Sequence, residues 1–422
     1  MLVCELLGKV DRRSLSLTCQ PLFSLVNAAA PFRKLWFCYS YWWLTPIVRQ
    51  HSKAVSSAYA IRWTFRPTTN GTPEQRSTDL LSLSAASLRH ALSILSLSSS
   101  LHTLGLSSVI VEPAHQILIL SIKTLRTVNL HNTTFAPTSE VMPRSSIKSL
   151  FLQGWSPLPN TLLGTSLETL RFNRWKLSAY EILSSTPLPR LTFLENSTII
   201  KLPTHDYFAS FRNITTLIIS SLWPSPVPPT ALPRLTYLSA PYEVGKALLP
   251  GRPVYTYSVH YIYPPITGVS IEHPLVELAP CAQHVKELHL WLRVSPSDLA
   301  VFLALHFPNV VRMHLKLAPS DLLDDGTPPW SSAHMHPSLR EFDIGFYVNR
   351  TQPFPRESCR KVLTKVTKVC PVLEVVRFGQ LFPTDGGGVD ERDLSFDLVM
   401  DMRRTAGGEW KEKKWGRWLL TP

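Results

Sequence analysis

The histidines and carboxylates of this chain are the residues most able to do chemistry, and their spacing decides whether they can form a catalytic or metal site. His334 and His336 flank one methionine in SSAHMHPS, but no cysteine or carboxylate stands at a matching ligand spacing. His205-Asp206 has no recognisable nucleophile arrangement, and the glycines at 386–388 lack the strand-to-helix setting of a phosphate loop. The sequence therefore predicts no catalytic residue, metal or cofactor, and we expect that the chain is not an enzyme.

Cysteine content and charge narrow the classes of partner. The six cysteines include no C-x-x-C pair, which argues against a zinc ribbon or a disulfide framework. The net charge of +13 is spread along the chain except in KEKKWGRW, residues 411–418. Interleaved lysine and tryptophan can pair with phosphates and stack on bases. An amphipathic terminal helix that caps an apolar core explains the same residues, so we do not expect nucleic acid as the partner.

The apolar segments of the sequence bear on where in the cell the protein is located. Glu5, Lys9 and Asp11 interrupt the region where a secretion signal needs a continuous apolar core. The most apolar aromatic stretch, 35–48, is too short to cross a bilayer. We expect a cytoplasmic and/or nuclear protein with no membrane partner.

The sequence contains an internal repeat, which predicts a regular architecture. Such an architecture can bring together side chains that lie far apart in sequence. The pattern apolar-x-x-apolar-x-apolar recurs from Leu101 to Phe378, at intervals of 19 to 24 residues up to Val254 and of 25 to 34 residues thereafter. The heptapeptides LPRLTFL, 188–194, and LPRLTYL, 232–238, lie 44 residues apart, which is two repeat lengths. The twelve copies start at 101, 125, 147, 167, 191, 214, 235, 254, 285, 310, 339 and 373.

Each copy predicts a short strand followed by a helix or an irregular return. Helical patterns precede three of the strands, in SLRHALSILS, SDLAVFLALHFP and SCRKVLTKVTKVCP. Such a unit cannot bury its apolar side alone, whereas stacked units share a continuous core. Because no Gly-rich nucleotide motif is present, we favour an α/β leucine-rich-repeat solenoid over a doubly wound sheet. The solenoid would carry parallel strands on its concave face and helices or irregular returns on its convex face.

The strand residues between the buried positions would form two columns on the outer face of the sheet. In the early repeats, one column is Thr103, Thr127, Ser149 and Thr169, which is typical of cross-strand pairing by small polar side chains. In the late repeats both columns are charged. A solvated ionic face and a protein-binding patch both explain such columns. Predicted target-binding residues are Phe151, Arg171, Glu287, His289, Trp291, Arg312, His314, Lys316, Glu341, Asp343 and Arg377.

The N-terminal stretch ELLGKVDRRSLSLTCQPLFSLV, 5–26, predicts two or three very short helices. Together with the downstream array, it resembles the F-box/leucine-rich-repeat family. The positions that carry the resemblance are Glu5, Leu6, Leu7, Asp11, Leu15, Leu17, Thr18, Cys19, Leu22 and Phe23, and Cys370-Pro371-Val372-Leu373 is similar to that family's repeats.

The resemblance implies a substrate receptor of a Skp-cullin-F-box type ubiquitin ligase, in which the F-box docks on the Skp-type adaptor and the solenoid captures a target protein. The adaptor contacts it implies are Leu6, Leu7, Val10, Leu15, Leu17, Cys19, Leu22 and Phe23. Only Val10 stands between Lys9 and Asp11, where the family has a further helical turn, so the F-box-like element is shortened. The alternative is a leucine-rich-repeat scaffold without a ligase.

The predicted domain order has four parts. Residues 1–30 form the F-box-like element, and 31–84 form a junction segment. Residues 85–380 form the solenoid, and 381–422 form a C-terminal loop with a basic, Trp-rich cap.

Overall fold

Parallel β-strands dominate the part of the chain that the structure describes. In the computed structural model, the described residues are 34–39, 60–65, 88–89, 92–93, 96, 101–137, 145–153, 160–173, 186–196, 208, 211–219, 227–260, 282–291, 307, 309–317, 338–347, 356–383 and 394–413. They belong to two compact units, the first up to Thr198 and the second from Ile199.

The first unit contains a parallel sheet in the order β1-β2-β3-β5-β7-β8-β9 and a separate parallel pair, β4-β6. Helix α1 (Pro113–Ser121) and a 3-10 turn (Asn160–Leu162) lie in the connections between strands. The strands are β1 (Lys34–Tyr39), β2 (Ala60–Phe65), β3 (Thr103–Ser107), β4 (Ile110–Val111), β5 (Thr127–His131), β6 (Thr134–Phe135), β7 (Ser149–Gln153), β8 (Thr169–Asn173) and β9 (Phe193–Asn196).

The second unit also consists mainly of parallel strands, and it ends in antiparallel strands. Strands β10 to β16 are parallel in sequence order, β17 is antiparallel to β16, and β18 is antiparallel to β17. The strands are β10 (Thr216–Ile219), β11 (Tyr237–Pro241), β12 (Thr256–His260), β13 (Glu287–Trp291), β14 (Arg312–Leu317), β15 (Glu341–Tyr347), β16 (Val375–Pro383), β17 (Leu394–Arg404) and β18 (Trp410–Glu412). Its helices are α2 (Tyr242–Leu248) and α3 (Arg356–Val369).

A strand forms at each of the twelve predicted copies, and it begins two residues after the first apolar position. In the copy that forms β5, for example, Leu125, Val128 and Leu130 are buried, whereas Asn129, between the last two, is exposed. The α/β class and the long parallel arrangement of strands are therefore confirmed. Helix α3 occupies the segment SCRKVLTKVTKVCP that was predicted to be helical. The segment SDLAVFLALHFP lies almost wholly outside the described residues.

A backbone corner before β5, and before most of the later parallel strands, links each of these strands to the one before it. The carbonyl of His102 accepts hydrogen bonds from the backbone N–H groups of both Arg126 and Thr127, each at 2.9 Å. The carbonyl of Arg126 in turn accepts from Lys148 and Ser149, at 2.8 and 2.9 Å. The same double acceptance recurs along β12 to β16. Because the corner uses only main-chain atoms, it forms whatever side chains the outer face carries.

Most copies of the repeat have one more buried position than the sequence pattern, three residues before its first apolar residue. In eight copies the backbone N–H of the first apolar residue donates to a carbonyl three residues earlier, which closes a tight turn. In the copy that starts at Leu167 the carbonyl belongs to the half-buried Gly164. In the other seven copies it belongs to a buried residue, which anchors the turn in the core. These residues are Ile122, Leu188, Phe211, Leu232, Ala282, Phe307 and Cys370.

One of the loops in the second unit is held by a buried cation. The guanidinium of Arg252 is almost fully buried and donates to the carbonyls of Ala231 at 2.8 Å, Leu248 at 3.0 Å and Pro228 at 2.6 Å. Burial lowers its pKa to about 10, so it remains charged at neutral pH. It satisfies carbonyls that the connections before β12 leave without strand partners.

Two boundaries differ from the sequence prediction. The segment 31–84 was predicted as a junction, but it contributes β1 and β2, and β2 is in register with β3. The segment 381–422 was predicted as a C-terminal loop with a basic, Trp-rich cap, and its described residues form the end of β16, β17 and β18. Gly408, at φ 84°, makes the turn between β17 and β18 with a left-handed backbone that glycine adopts without strain.

No helix among the described residues is both long enough and apolar enough to cross a membrane.

Candidate functional site on strands β13 to β16

The charged columns predicted for the late repeats lie on four adjacent strands of the second unit. The pairing register places Glu287 beside Arg312 and Arg312 beside Glu341. Two residues further along the same strands, His289, His314, Asp343 and Arg377 are neighbours in that order. The two rows therefore occupy one face of the sheet, as predicted. We call these seven residues the charged face.

Asp343 is the most buried member of the charged face and its main acceptor. Its side chain is 6% exposed. Oδ2 lies 2.9 Å from His314 Nδ1 and 3.1 Å from Arg312 Nη2, and Oδ1 lies 2.9 Å from Arg377 Nη1. Burial raises the pKa of this carboxyl, but the hydrogen bond and charge of His314 and the two arginines outweigh burial and hold the pKa at about 2. Asp343 is therefore ionised at neutral pH.

Glu287 forms the second centre of the charged face. Its Oε1 lies 3.1 Å from His289 Nε2 and 2.9 Å from His314 Nε2, so two imidazoles converge on one oxygen. The other oxygen, Oε2, accepts the Thr256 hydroxyl at 3.2 Å. Hydrogen bonds from His289 and then His314 lower the pKa of Glu287 to about 2, against the effect of burial. The carboxylate is thus fixed in position by strands on both sides.

The two histidines are in close contact. Their ring centroids are 4.0 Å apart with a tilt of 46°. Burial lowers the pKa of His289 from its usual value, which outweighs the hydrogen bond to Glu287. His314 lies between two carboxylates, with Nε2 at 2.9 Å from Glu287 Oε1 and Nδ1 at 2.9 Å from Asp343 Oδ2. The ligand atoms of Glu287, His289 and His314 all lie within 4.8 Å of one another, so they could hold a metal ion.

Arginines tie the remaining acids into the network. Arg377 Nη1 lies 2.9 Å from Glu341 Oε2 as well as from Asp343, and these carboxylates raise its pKa although burial lowers it. Arg312 Nε lies 3.7 Å from both Glu287 and Glu341, and this buried nitrogen has no hydrogen-bond partner. Three carboxylates thus face two guanidiniums and two imidazoles. The arginines alone do not neutralise this face.

The predicted residues of the first unit form a smaller cluster. The Arg171 guanidinium carbon lies 5.1 Å from the ring centre of Phe151 and 4.6 Å from that of Phe193, and Arg171 Nε lies 3.3 Å from Glu195 Oε2. Phe151 and Arg171 are neighbours in the strand register, as predicted. The pattern L-x-x-L-x-L did not single out Phe193 or Glu195, because β9 is a degenerate copy. The two outer columns lie two and four residues after the first apolar position of each copy. Counting these offsets from Leu191 gives Phe193 and Glu195.

For several predicted site residues the structure describes little or nothing of their surroundings. Trp291 lies beside Lys316 in the register, and Lys316 is half-buried. The predicted adaptor contacts Leu6, Leu7, Val10, Leu15, Leu17, Cys19, Leu22 and Phe23 lie outside the described residues. The metal pair considered at His334 and His336 also lies outside them.

Comparison with known proteins does not add a function to this geometry. No protein-family model matches the chain, and no curated protein sequence matches it.

Proposed function

We propose that this chain is a leucine-rich-repeat receptor that binds a protein partner through the outer face of its strands. The observation that carries the proposal is the repeated corner, which sets one strand after another in parallel register while leaving alternate side chains free of the core. Stacked repeats of this kind present extended surfaces whose side chains vary without disturbing the frame.

The first unit supplies the contacts best suited to a protein partner. Arg171 is 45% exposed and is fixed between two aromatic rings, so it loses little freedom on binding. Arginine and aromatic side chains are the types that most often dominate protein interfaces. The charged face of the second unit is largely paired within itself, so we assign it to orientation and selectivity.

We further propose that the receptor acts in a Skp-cullin-F-box type ubiquitin ligase, in the cytoplasm or the nucleus. The support is the F-box-like sequence at 5–26 that precedes the repeat array. In this role the N-terminal element docks on the Skp-type adaptor and the strand face holds the target. The chain itself would carry out no ubiquitin chemistry. The alternative is a repeat scaffold that binds protein and has no ligase.

The adaptor test uses the full chain expressed with a tagged Skp-type adaptor. We expect co-purification that is lost when residues 1–30 are removed or when Leu22→Asp places a charge in the predicted contact. Ser24→Asp adds the same charge two residues away and serves as the matched control. If the full chain does not retain the adaptor, or if Leu22→Asp and Ser24→Asp behave alike, the ligase proposal fails and the scaffold reading stands.

The receptor test compares proteins cross-linked to the full chain in cells with those cross-linked to two variants. Arg171→Glu reverses the charge between the aromatic rings, and we expect it to remove a defined set of partners. Lys148→Glu reverses an equally exposed charge at a strand corner, where its present partner is Glu168. Loss of the same partners in both variants would contradict a binding role for the Arg171 cluster.

A further inference from the structure

We propose that Glu287, His289 and His314 form a binding site for a divalent transition-metal ion, and that Zn²⁺ is the ion their chemistry fits best. The inference is independent of the receptor proposal, because metal binding can be measured on the isolated chain. It also differs from the sequence-based expectation, in which these residues contact the target and the chain binds no metal.

The donor atoms already have most of the geometry that a zinc ion needs. Zinc ligands at about 2.0–2.1 Å from a tetrahedral ion stand roughly 3.4 Å from one another. Glu287 Oε1 lies 3.1 Å from one imidazole Nε2 and 2.9 Å from the other, and all three atoms lie within 4.8 Å of one another. Small side-chain rotations therefore suffice to place one ion in contact with all three donors.

The backbone explains why these donors converge. Glu287 and His289 are two residues apart on β13, so they lie on the same side of the strand. His314 is the register partner of His289 on the adjacent strand β14. Two neighbouring strands therefore supply all three ligands, and no loop has to move to complete the set.

The outer contacts of two ligands are those of a built metal site. Zinc-bound histidines usually donate their second ring N–H to a carboxylate, which fixes the ring and strengthens it as a ligand. Asp343 fills this role for His314, with Oδ2 at 2.9 Å from Nδ1. The Thr256 hydroxyl holds Oε2 of Glu287, which turns Oε1 toward the imidazoles.

Charge and donor type favour a transition metal over Mg²⁺ or Ca²⁺. Two imidazole nitrogens and one carboxylate oxygen suit Zn²⁺, Co²⁺ and Ni²⁺, whereas Mg²⁺ and Ca²⁺ prefer oxygen ligands. The charged face has one more carboxylate than guanidiniums, and the ion takes the place of the protons that the imidazoles share with Glu287. Arg312 is the competing cation, since its Nε lies 3.7 Å from Glu287 Oε1. Three protein ligands leave a fourth position for water or for a side chain of the partner.

The test adds Co²⁺ to the full chain, prepared without a histidine tag and freed of metal by a chelator. We expect the visible absorption of tetrahedral Co²⁺ to saturate at one equivalent and to disappear when Zn²⁺ is added, while excess Mg²⁺ has no effect. His289→Gln and His314→Gln should each weaken binding on the order of 100-fold, and Asp343→Asn, which removes an outer support, by about 10- to 100-fold.

The controls separate loss of a ligand from loss of the fold. His131→Gln changes a half-buried histidine at the end of β5 and should leave Co²⁺ binding unchanged. His289→Cys keeps a ligand for the ion, so it should restore binding and add thiolate-to-cobalt absorption. Absence of the cobalt spectrum at one equivalent, or a spectrum that survives both His289→Gln and His314→Gln, would overturn the proposal.

Discussion

The two units use the same strand frame and carry different chemistry on their outer faces. In the first unit β3, β5, β7 and β8 start at Thr103, Thr127, Ser149 and Thr169, and the adjacent column holds an exposed cation between two rings. In the second unit the equivalent columns hold seven ionisable side chains, one of which, the carboxylate of Asp343, is only 6% exposed. The register is the same in both, so the difference comes from the side chains alone.

This comparison shows how burial decides the strength of a charged surface. An exposed ion pair contributes about 0–1 kcal/mol, because water screens it and the side chains lose freedom. A buried carboxylate with several cationic partners is different, because removing it leaves its partners without compensation. Substitutions on the outer strand face of the first unit should therefore cost little stability. The second unit depends for its stability on the ion pairs of the charged face.

The largest effect should follow from Asp343→Asn. The amide keeps the shape of the carboxylate but removes the charge that Arg312, Arg377 and His314 share, and we expect β13 to β16 to lose about 3 kcal/mol of local stability. Hydrogen exchange followed by mass spectrometry resolves these strands from those of the first unit. Glu195→Gln is the matched change there and should cost under about 1 kcal/mol. Equal loss of protection in the two variants would contradict the comparison.

Acid should weaken the second unit before the first. The folded pKa values of Glu287 and Asp343, both about 2, lie below their ordinary values of 4.5 and 3.8. Their stabilisation is therefore complete above about pH 5 and is lost as pH falls toward 2. The lowered pKa of His289 acts in the same direction below pH 6.5, since the unfolded chain takes up that proton first.

The loss assigned to Asp343 is about 2 kcal/mol between pH 5 and pH 2. Hydrogen exchange at a series of pH values, corrected for the intrinsic exchange rate and run with a chelator present, measures it. Asp343→Asn should flatten the acid response of β13 to β16. An acid response equally steep in that variant would assign the pH dependence to other groups.

The smallest effect should come from the exposed pairs of the first unit. Arg171→Met removes a cation from between two rings and an ion pair at 3.3 Å, and we expect a loss of about 1 kcal/mol. Lys148→Met breaks a pair at 2.7 Å whose two side chains are 46% and 40% exposed, and its effect should be close to zero. Urea unfolding of both variants is the measurement. A loss from Lys148→Met as large as that from Asp343→Asn would show that exposure does not separate these pairs.

Most of the parallel strands could be predicted from the sequence because the pattern of apolar residues that forms them is periodic. Every copy of apolar-x-x-apolar-x-apolar formed a strand, and equal offsets placed Glu287, Arg312 and Glu341 side by side. Strand β1 was missed although Phe32-Arg-Lys-Leu35-Trp-Phe37 fits the same pattern, because its aromatic composition suggested a junction. Strand β17 was missed because it is antiparallel and follows the two-residue alternation of LSFDLVMDM instead.

The site was predicted less well, for a physical reason. The register that pairs His289 with His314 follows from the spacing of the repeats. The convergence of both Nε2 atoms on one oxygen of Glu287 depends on side-chain rotamers and on the hydroxyl of Thr256, which lies on an earlier strand. Sequence spacing determines which residues are neighbours, and it leaves open which atoms they turn toward one another.

The shared corner carbonyl also bears on how such an array can grow. The residue that donates its N–H at one corner, such as Arg126 or Lys148, is the residue whose carbonyl accepts at the next. A whole repeat inserted by duplication therefore brings backbone N–H donors for the carbonyl of the preceding corner. It also brings a carbonyl that accepts from the following corner, so every corner hydrogen bond is still made. LPRLTFL and LPRLTYL, two repeat lengths apart, are what duplication of a two-repeat segment would leave behind.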